Sequence, residues 1–332
     1  MEKINKFFGY KNEVFDKTEL KKKTKKSLPI IKKIKEHQPL VVSGEKTISF
    51  SQIQMYNDCP HKWNLQYKQK LYESAPSINM TFGTALHETV QHYLGMMYNE
   101  SVVKADEFDL EEYFQERFTE VYKRDLKSNK DKHFSSQDEM HEFYNDGLEI
   151  IKFLKSKRGE YFSKRDWHLV GCEIPLIIKP NNAYNNVIYK GFIDVVLYHE
   201  KTNKFYIIDI KTSRQGWSSE KKDEVKQAQL LLYKLFFSEQ FEVPLENIDL
   251  EFVILKRKLW ENSSYPQKRI QSFVPPNGVE KVNKAKKLLD KFLEECFDQD
   301  GYKERKFEMK PSSKCKWCPF NSKPELCSKK DS

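Results

Sequence analysis

Two apolar segments, each interrupted by one aspartate, constrain this chain more than any other feature of its sequence. They lie within residues 187–213, are rich in Val, Ile, Tyr and Phe, and flank a polar turn at residues 199–204. This pattern predicts a β-hairpin. Asp194 interrupts the first strand and Asp209 the second, at positions where a buried strand normally carries no charge.

The register of this hairpin predicts where the two aspartates meet. If Tyr198 lies opposite Phe205 across the turn, Asp194 lies opposite Asp209. Because side chains alternate along a strand, Asp209 and Lys211 share one face. Like charges placed opposite each other are unfavourable unless a cation offsets them. The hairpin therefore predicts a metal site, and the alternative, a surface hairpin whose charges face water, is disfavoured by the apolar residues on both faces.

Two carboxylates and a lysine suit the hydrolysis of a phosphodiester. Metal ions neutralise the charge that develops on the phosphate and lower the pKa of a bound water. Hard divalent cations prefer carboxylate oxygens and also accept a backbone carbonyl. Here Asp194 and Asp209 supply carboxylates, and Ile210 supplies the carbonyl between Asp209 and Lys211. For Lys211 three roles stay open: orienting the attacking water, helping to deprotonate it, or stabilising the pentacovalent phosphate.

Overall charge and segment lengths restrict the class of protein. The chain has 332 residues and a net charge of +9, which suits a polyanionic partner. No apolar run approaches the roughly 18 residues of a membrane span, and the N-terminus lacks the apolar core of a signal peptide. We expect a soluble, cytoplasmic protein with no membrane partner, in which six cysteines serve metal binding more than disulfides.

Changes of pattern divide the chain into four predicted parts. Residues 1–46 are basic and irregular, and are interpreted either as a solvated tail or as a DNA-contacting arm. Residues 47–165 form a helical section, and residues 166–300 form a core in which three strands, a helix, two strands and a helix follow one another. Residues 301–332 are rich in cysteine. This order predicts a mixed α/β fold, a central sheet flanked by helices.

Four further side chains are weaker candidates for the site. His87 lies on a helical stripe, where a lone histidine is more often structural than a ligand. Glu173 lies in the middle of a strand, as an outer ligand or as a structural partner of the lysine, and the structural role is favoured. Gln229 and Tyr233 are four residues apart on a helix and so share a face.

The cysteines predict a second metal site. Cys315 and Cys318 are separated by two residues, a spacing that lets both thiolates reach one metal, and Cys327 follows after eight more. The best candidate for a fourth ligand is Cys59, beside Pro60. Either an iron–sulfur cluster or Zn²⁺ fits this ligand set. Two cysteines lie in apolar strand and helix patterns and are interpreted as packing residues: Cys172 and Cys296.

Taken together, these motifs resemble the PD-(D/E)XK nuclease superfamily. Within it they resemble the RecB-like exonucleases with an iron–sulfur cluster, which include the AddB nuclease domain and the nuclease of CRISPR adaptation. The matching segments follow the family's order from Thr47 to Cys327: residues 49–60, Gly83–His87, Gly191–Asp194, Asp209–Lys211, Gln229–Tyr233 and the late cysteines.

The resemblance implies roles for these residues. It makes His87, Asp194 and Asp209 ligands of Mg²⁺ or Mn²⁺, and Lys211 catalytic. Gln229 and Tyr233 would line the site and the DNA path. Cys59 and the three late cysteines would hold a 4Fe–4S cluster, although the last spacing is longer than is usual in the family. Asp209 stands where the family commonly has Glu.

The function expected from the resemblance is that of a DNA exonuclease. It would act on DNA ends or single strands in replication, recombination or repair, with a helicase or recombination protein as partner. The Lys- and Asn-rich composition suggests a phage-encoded protein. The alternatives are a DNA-binding iron–sulfur or zinc scaffold that does not cleave, and a Zn-stabilised endonuclease.

Overall fold

A computed structural model describes residues 28–71, 76–184, 186–218, 223–299, 301–321 and 323–327. The chain divides between His37 and Gln38 into two units. In the first unit, helix α1 (Pro29–Glu36) begins with a proline, whose fixed φ suits the first turn of a helix. The prediction that residues 1–46 are irregular is therefore wrong for this segment. The lysine-rich run at residues 21–26 lies outside the described residues.

The second unit is built on a mixed six-stranded sheet. Its strands run in the spatial order β1-β3-β4-β5-β6, and β2 pairs with β3. The β1–β3 and β4–β5 pairs are parallel and the others are antiparallel. The strands are β1 (Lys46–Ile48), β2 (Trp167–Ile178), β3 (Val187–His199), β4 (Lys204–Ser213), β5 (Ile248–Lys256) and β6 (Ile270–Phe273).

Helices cover both faces of this sheet. They are α2 (Phe50–Asp58), α3 (Pro60–Trp63), α4 (Ile78–Asn99), α5 (Val102–Glu107), α6 (Leu110–Ser128), α7 (Gln137–Lys157), α8 (Glu224–Phe241) and α9 (Val279–Cys296). Directly after α3 the chain forms a π-helical turn, Asn64–Lys68. The predicted α/β fold with a mixed central sheet is confirmed.

Helix starts are set by local side chains. Ser77, Asp109 and Asp223 each accept a hydrogen bond from the first turn of the helix that follows. Ser136 and Glu139 form a capping box at the start of α7. Such caps satisfy backbone N–H groups that have no partner within the helix.

The main core lies between the sheet and helices α4, α6 and α7. It joins helical side chains such as Leu86, Phe114 and Ile150 to Val195 and Ile208 of the hairpin. Because side chains alternate along strands, the neighbouring residues point to the opposite face. There Phe205 contacts Phe237 of α8, at 5.4 Å between ring centroids.

An aromatic cluster joins the beginning of this unit to its end. Trp63, which is fully buried, contacts four rings from α9 and the chain after it: Phe292, Phe297, Tyr302 and Phe307. We call these five residues the Trp63 cluster. It packs α3 against residues some 230–240 positions later. None of the helices in the described residues combines the length and apolarity that crossing a bilayer would need.

Candidate active site

Asp194 lies beside a gap on one edge of β3. Strand β2 follows the other edge of β3 along nearly its whole length, so β1 and β4 share the remaining edge. There β1 pairs with Val187–Tyr189, and β4 pairs with Val195–His199. Residues 190–194 pair with neither β1 nor β4 along this edge. This unpaired stretch is the gap, and it leaves their backbone and the end of β4 open to other groups.

The register of the hairpin follows the predicted one. Tyr198 lies opposite Phe205, and the ladder ends at the Val195–Ile208 pair, one position before the two aspartates would pair. Beyond that point the strands separate. The backbone N–H of Ile210 donates to Oδ2 of Asp194 at 2.7 Å. The Asp194 carboxylate thus takes the place of a β3 backbone carbonyl as the acceptor.

The separation of the strands also bears on the Ile210 carbonyl. In an antiparallel ladder the N–H and C=O of one residue point to the same edge. Since the Ile210 N–H reaches Asp194, we expect the Ile210 carbonyl to face the same gap. A carboxylate and a carbonyl oxygen then border one opening, as the hairpin sequence predicts.

Asp209 and Lys211 form an ion pair at this gap, in which the aspartate is buried and the lysine is partly exposed. Asp209 is 1% exposed. Its Oδ1 accepts a hydrogen bond from Lys211 Nζ at 3.1 Å, and its Oδ2 lies 2.9 Å from the same nitrogen. That Oδ2 nevertheless makes no well-directed hydrogen bond with a described residue. A buried carboxylate oxygen without a hydrogen bond is costly, and a bound cation would satisfy it.

His87 and Gln91 approach the same gap from α4. His87 Nδ1 lies 3.6 Å from Asp194 Oδ2. Burial, aided by the Lys211 charge, lowers the pKa of His87 to about 3. The imidazole is therefore neutral at physiological pH, which is the form that binds metals. Gln91, one turn later, donates to Glu173 Oε1 at 2.7 Å and to the Asp194 carbonyl at 3.0 Å.

Glu173 occupies a strained position opposite Asp194. It lies between the Cys172–Val195 and Ile174–Ile193 pairs of the β2–β3 ladder. Its φ of +52° is in the left-handed region, which costs a residue with a Cβ roughly 1–2 kcal/mol. Burial raises the pKa of its carboxyl. Among the described residues Glu173 forms no ion pair with Lys211, the contact that its structural role would need. Its hydrogen bond with Gln91 instead places Glu173 at the edge of the site.

The two candidates on α8 contact each other. Gln229 Nε2 donates to the Tyr233 hydroxyl at 3.2 Å. Burial raises the pKa of Tyr233, and the negative charge of Asp209 raises it further. Tyr233 therefore lies within electrostatic range of the buried carboxylates. The two α8 side chains border the site from the sheet face opposite α4.

Burial and mutual repulsion dominate the electrostatics of the carboxylates. Burial raises the pKa of Asp194, and the neighbouring Asp209 raises it further. Burial also raises the pKa of Asp209, against the opposing effect of Lys211. For Lys211, burial lowers the pKa but the two aspartates more than offset it, so the net shift is upward and the side chain is an ammonium. One ammonium thus faces two carboxylates.

These donors fit a hard divalent cation in their chemistry. Carboxylate oxygens, a carbonyl and a neutral imidazole are ligands that Mg²⁺ and Mn²⁺ accept. Across the described ranges, no three His, Cys, Asp or Glu side chains already surround one point at ligand distances. The ion pair with Lys211 orients the Asp209 carboxylate toward the ammonium. To bind a cation, Asp209 would therefore have to give up part of its contact with Lys211.

The four candidate cluster cysteines line a single cavity of about 270 Å³. Cys59 reaches it from the α2–α3 junction, and Cys315, Cys318 and Cys327 from the C-terminal segment. All four are free thiols. The hydrogen bond from Lys310 Nζ to the Asn57 carbonyl, 2.8 Å, holds the two segments together.

Four thiols are donors of the number and type that a soft metal takes, but among the described residues no three of them lie close enough together to hold a metal ion. Thiolates select iron–sulfur clusters and Zn²⁺. The two cysteines interpreted as packing residues are absent from the lining of the cavity. Cys296 is fully buried in α9, and burial raises the pKa of the Cys172 thiol to about 12, so it stays protonated.

Of the sequence candidates, the structure brings His87, Asp194, Asp209, Ile210 and Lys211 to one gap, with Gln229 and Tyr233 beside it. Gln91 was missed by sequence reasoning. Its signal was its position four residues after His87, on the same helical face.

Comparison with known proteins places the chain in a family. A family profile described as "PD-(D/E)XK nuclease superfamily" matches residues 47–323. No similar protein was found among curated sequences. A solved structure called "Crystal structure of SSO0001" has 14% identity and a TM-score of 0.38, over 90% of this chain and 95% of that one. The profile match covers most of the chain, including every residue of the gap. This protein therefore belongs to the PD-(D/E)XK nuclease superfamily.

Proposed function

We propose that this protein is a metal-dependent DNA exonuclease of the RecB-like type, which hydrolyses phosphodiester bonds at DNA ends or in single strands. One observation carries the proposal: the gap on the β3 edge, where Asp194, Asp209 and Lys211 meet. The contacts that define it are the 2.7 Å hydrogen bond from the Ile210 N–H to Asp194 and the 2.9 Å approach of Lys211 to Asp209.

Each group at the gap has a role that its position supports. Asp194, Asp209, His87 and the Ile210 carbonyl would hold Mg²⁺ or Mn²⁺. When bound, such an ion neutralises charge on the phosphate and lowers the pKa of water. Lys211, kept as an ammonium by the two aspartates, donates hydrogen bonds to the phosphoryl oxygens as negative charge develops on them. Its role is then charge stabilisation.

The surrounding polar residues position the ligands. Gln91 fixes Glu173 and the Asp194 backbone, so that the Asp194 carboxylate is directed at the gap. Gln229 and Tyr233 orient each other on α8 and would contact the DNA strand beside the scissile phosphate. Groups that orient ligands in this way strongly affect metal affinity.

A nuclease assay tests the assignment. Wild-type protein with Mn²⁺ should shorten end-labelled linear DNA and leave closed circular DNA intact. Asp209→Asn should abolish cleavage, because it removes a metal-binding charge and the partner of Lys211. Asp249→Asn is the matched control: it makes the same change on β5, where Asp249 forms an ion pair with Lys204 at 2.8 Å, and should cleave normally. Cleavage of circular DNA would favour an endonuclease, and full activity of Asp209→Asn would refute the site.

The cysteine cavity supports a 4Fe–4S cluster, with Zn²⁺ as the alternative. Cys59, Cys315, Cys318 and Cys327 would be its ligands. Its role would be structural, since it would join the N-terminal helices to the C-terminal segment and contribute its binding free energy to folding. Iron and zinc analysis of anaerobically purified protein separates the two metals. Cys59→Ser should lose the metal and Cys172→Ser should retain it; equal metal content in both would contradict the proposal.

The biological setting stays a prediction from the sequence. A role in replication, recombination or repair, a helicase or recombination partner, and phage origin all derive from the resemblance and the composition. A protein that binds DNA without cleaving it in the assay above would be the non-cleaving scaffold.

A further inference from the structure

The loop between β5 and β6 exposes two aromatic rings. We call residues 257–269 the aromatic loop. In it Trp260 is 63% exposed and Tyr265 is 79% exposed. Tryptophan is highly buried on average in folded proteins. Two large exposed rings within six residues therefore point to a surface that contacts another molecule.

The basic residues of this loop are already engaged by acidic residues. They form the ion pairs Arg257–Asp146, Arg257–Glu142, Lys258–Asp146, Lys258–Glu142, Lys268–Glu160 and Arg269–Glu149. These pairs hold both ends of the loop against α7 and the short turn after it. The tip of the loop therefore presents aromatic ring surface to a ligand more than positive charge.

A second set of contacts fixes the loop itself. The backbone N–H of Trp260 donates to Gln267 Oε1 at 2.8 Å, and Gln267 Nε2 donates to the Trp260 carbonyl at 2.6 Å. Ser263 Oγ donates to the Tyr265 carbonyl at 2.9 Å. The backbone at both rings is thus held before any ligand binds. Tyr and Trp have few rotatable bonds, so ordering them on binding costs little entropy.

The aromatic loop lies at the same end of the sheet as the gap. Strands β4 and β5 are parallel, and Ser213 pairs with Lys256 at their C-terminal ends. The pairing continues into the loop, where the Arg257 N–H donates to the Ser213 carbonyl at 2.9 Å. Lys211 is two residues before Ser213, and Trp260 is four residues after Lys256. By chain length and strand spacing, Trp260 lies within roughly 25 Å of Lys211.

We propose that Trp260 and Tyr265 stack on unpaired bases of a single-stranded nucleic acid that leads to the gap. This inference rests on the proposed nuclease function and narrows its substrate to single strands. Bases in a duplex are stacked on each other, whereas those of a single strand can stack on aromatic side chains. Arg214, beside the loop, is exposed and makes no ion pair with a described residue, so it is placed to contact a phosphate of the same strand.

Binding measurements on loop variants test this inference. Titration of the protein with an oligothymidylate in EDTA, which prevents cleavage, should quench tryptophan fluorescence. Trp260→Ala and Tyr265→Ala should each weaken single-strand affinity by at least about fivefold, since stacking contributes roughly 1–3 kcal/mol per base. Blunt duplex affinity should change much less. Trp260→Phe should retain affinity but lose most of the quenching.

The matched control is Val103→Ala, which shortens another exposed apolar side chain, 62% exposed, on α5. It should bind single strands as the wild type does. Unchanged single-strand affinity in the Trp260→Ala, Tyr265→Ala double variant would overturn the inference while leaving the nuclease assignment intact, provided that the wild type cleaves. An equal loss of single-strand and duplex affinity would also overturn it. A wild type that neither binds nor cleaves DNA would refute both proposals.

Discussion

Replacing Gly147 by alanine should destabilise the protein, whereas the same change at Gly95 should stabilise it. Both glycines lie inside long helices, α7 and α4. There a glycine costs about 0.5–1 kcal/mol relative to alanine. A Cβ at Gly95 would meet no atom within 4 Å, so alanine should recover that amount. A Cβ at Gly147 would lie only 2.3 Å from Cε1 of Phe114.

The Phe114 ring has little room to move away from that Cβ. Carbon atoms in ordinary contact are about 3.5–4.0 Å apart, so the ring or α7 must shift by more than ~1 Å. Phe114 is fully buried and lies nearly parallel to Phe118 and Tyr144, at interplanar angles of 16° and 4°. Overpacking of this kind costs about 1–3 kcal/mol. With so short a contact we expect the upper end, so the free energies of unfolding of the two variants should differ by about 3 kcal/mol.

Thermal unfolding followed by circular dichroism measures this difference. At roughly 2–4 °C per kcal/mol, the Gly147→Ala midpoint should lie some 6–12 °C below that of Gly95→Ala. Replacing Phe114 by leucine should reduce the cost of Gly147→Ala, because the clashing ring atoms are gone, and a double-mutant cycle isolates that coupling. Equal midpoints for the two glycine variants would refute the reasoning.

Three further outcomes are expected. His87→Ala should raise the Mn²⁺ concentration needed for half-maximal cleavage by at least about tenfold, since it removes a ligand; an unchanged metal dependence would make His87 a core residue. Gly191→Ala should lower turnover about tenfold, because its Cβ would come within 3.0 Å of the Tyr233 ring; wild-type turnover would show that the ring adjusts. Asp146→Ala should cost about 3 kcal/mol by leaving Arg257 without its buried partner, whereas the more exposed Glu142→Ala should cost under about 1 kcal/mol; urea unfolding that ranks them equally would contradict this.

The hairpin could be predicted from the sequence because its signals are local. Alternating apolar residues and a polar turn fix both strands, and the predicted Tyr198–Phe205 pair is present. The lone carboxylates at Asp194 and Asp209 marked the site for the same reason: an apolar strand makes a charge conspicuous. The site residues that came from the resemblance, His87 above all, have no comparable local signal.

The features that were missed depend on distant parts of the chain. Strand β1 has three residues and exists through parallel pairing of Lys46–Ile48 with the start of β3. The left-handed backbone of Glu173 follows a register shift between Leu169 and Gly171 against β3. Neither has a periodicity that a sequence window could detect. The point at which β4 separates from β3, which opens the gap, is likewise set by tertiary packing.

The Trp63 cluster can form only when synthesis of the chain is nearly complete, because its other rings lie near the end of the sequence. Chains emerge from the ribosome at roughly 5–20 residues per second. The last ring that buries Trp63, that of Phe307, is made about 240 residues later, so the indole stays uncovered for some 12–50 s. A nascent chain halted before residue 292 would present α2 and α3 without their aromatic partners. Prematurely terminated products should therefore be sensitive to proteases at their first helices, even where the sheet has formed.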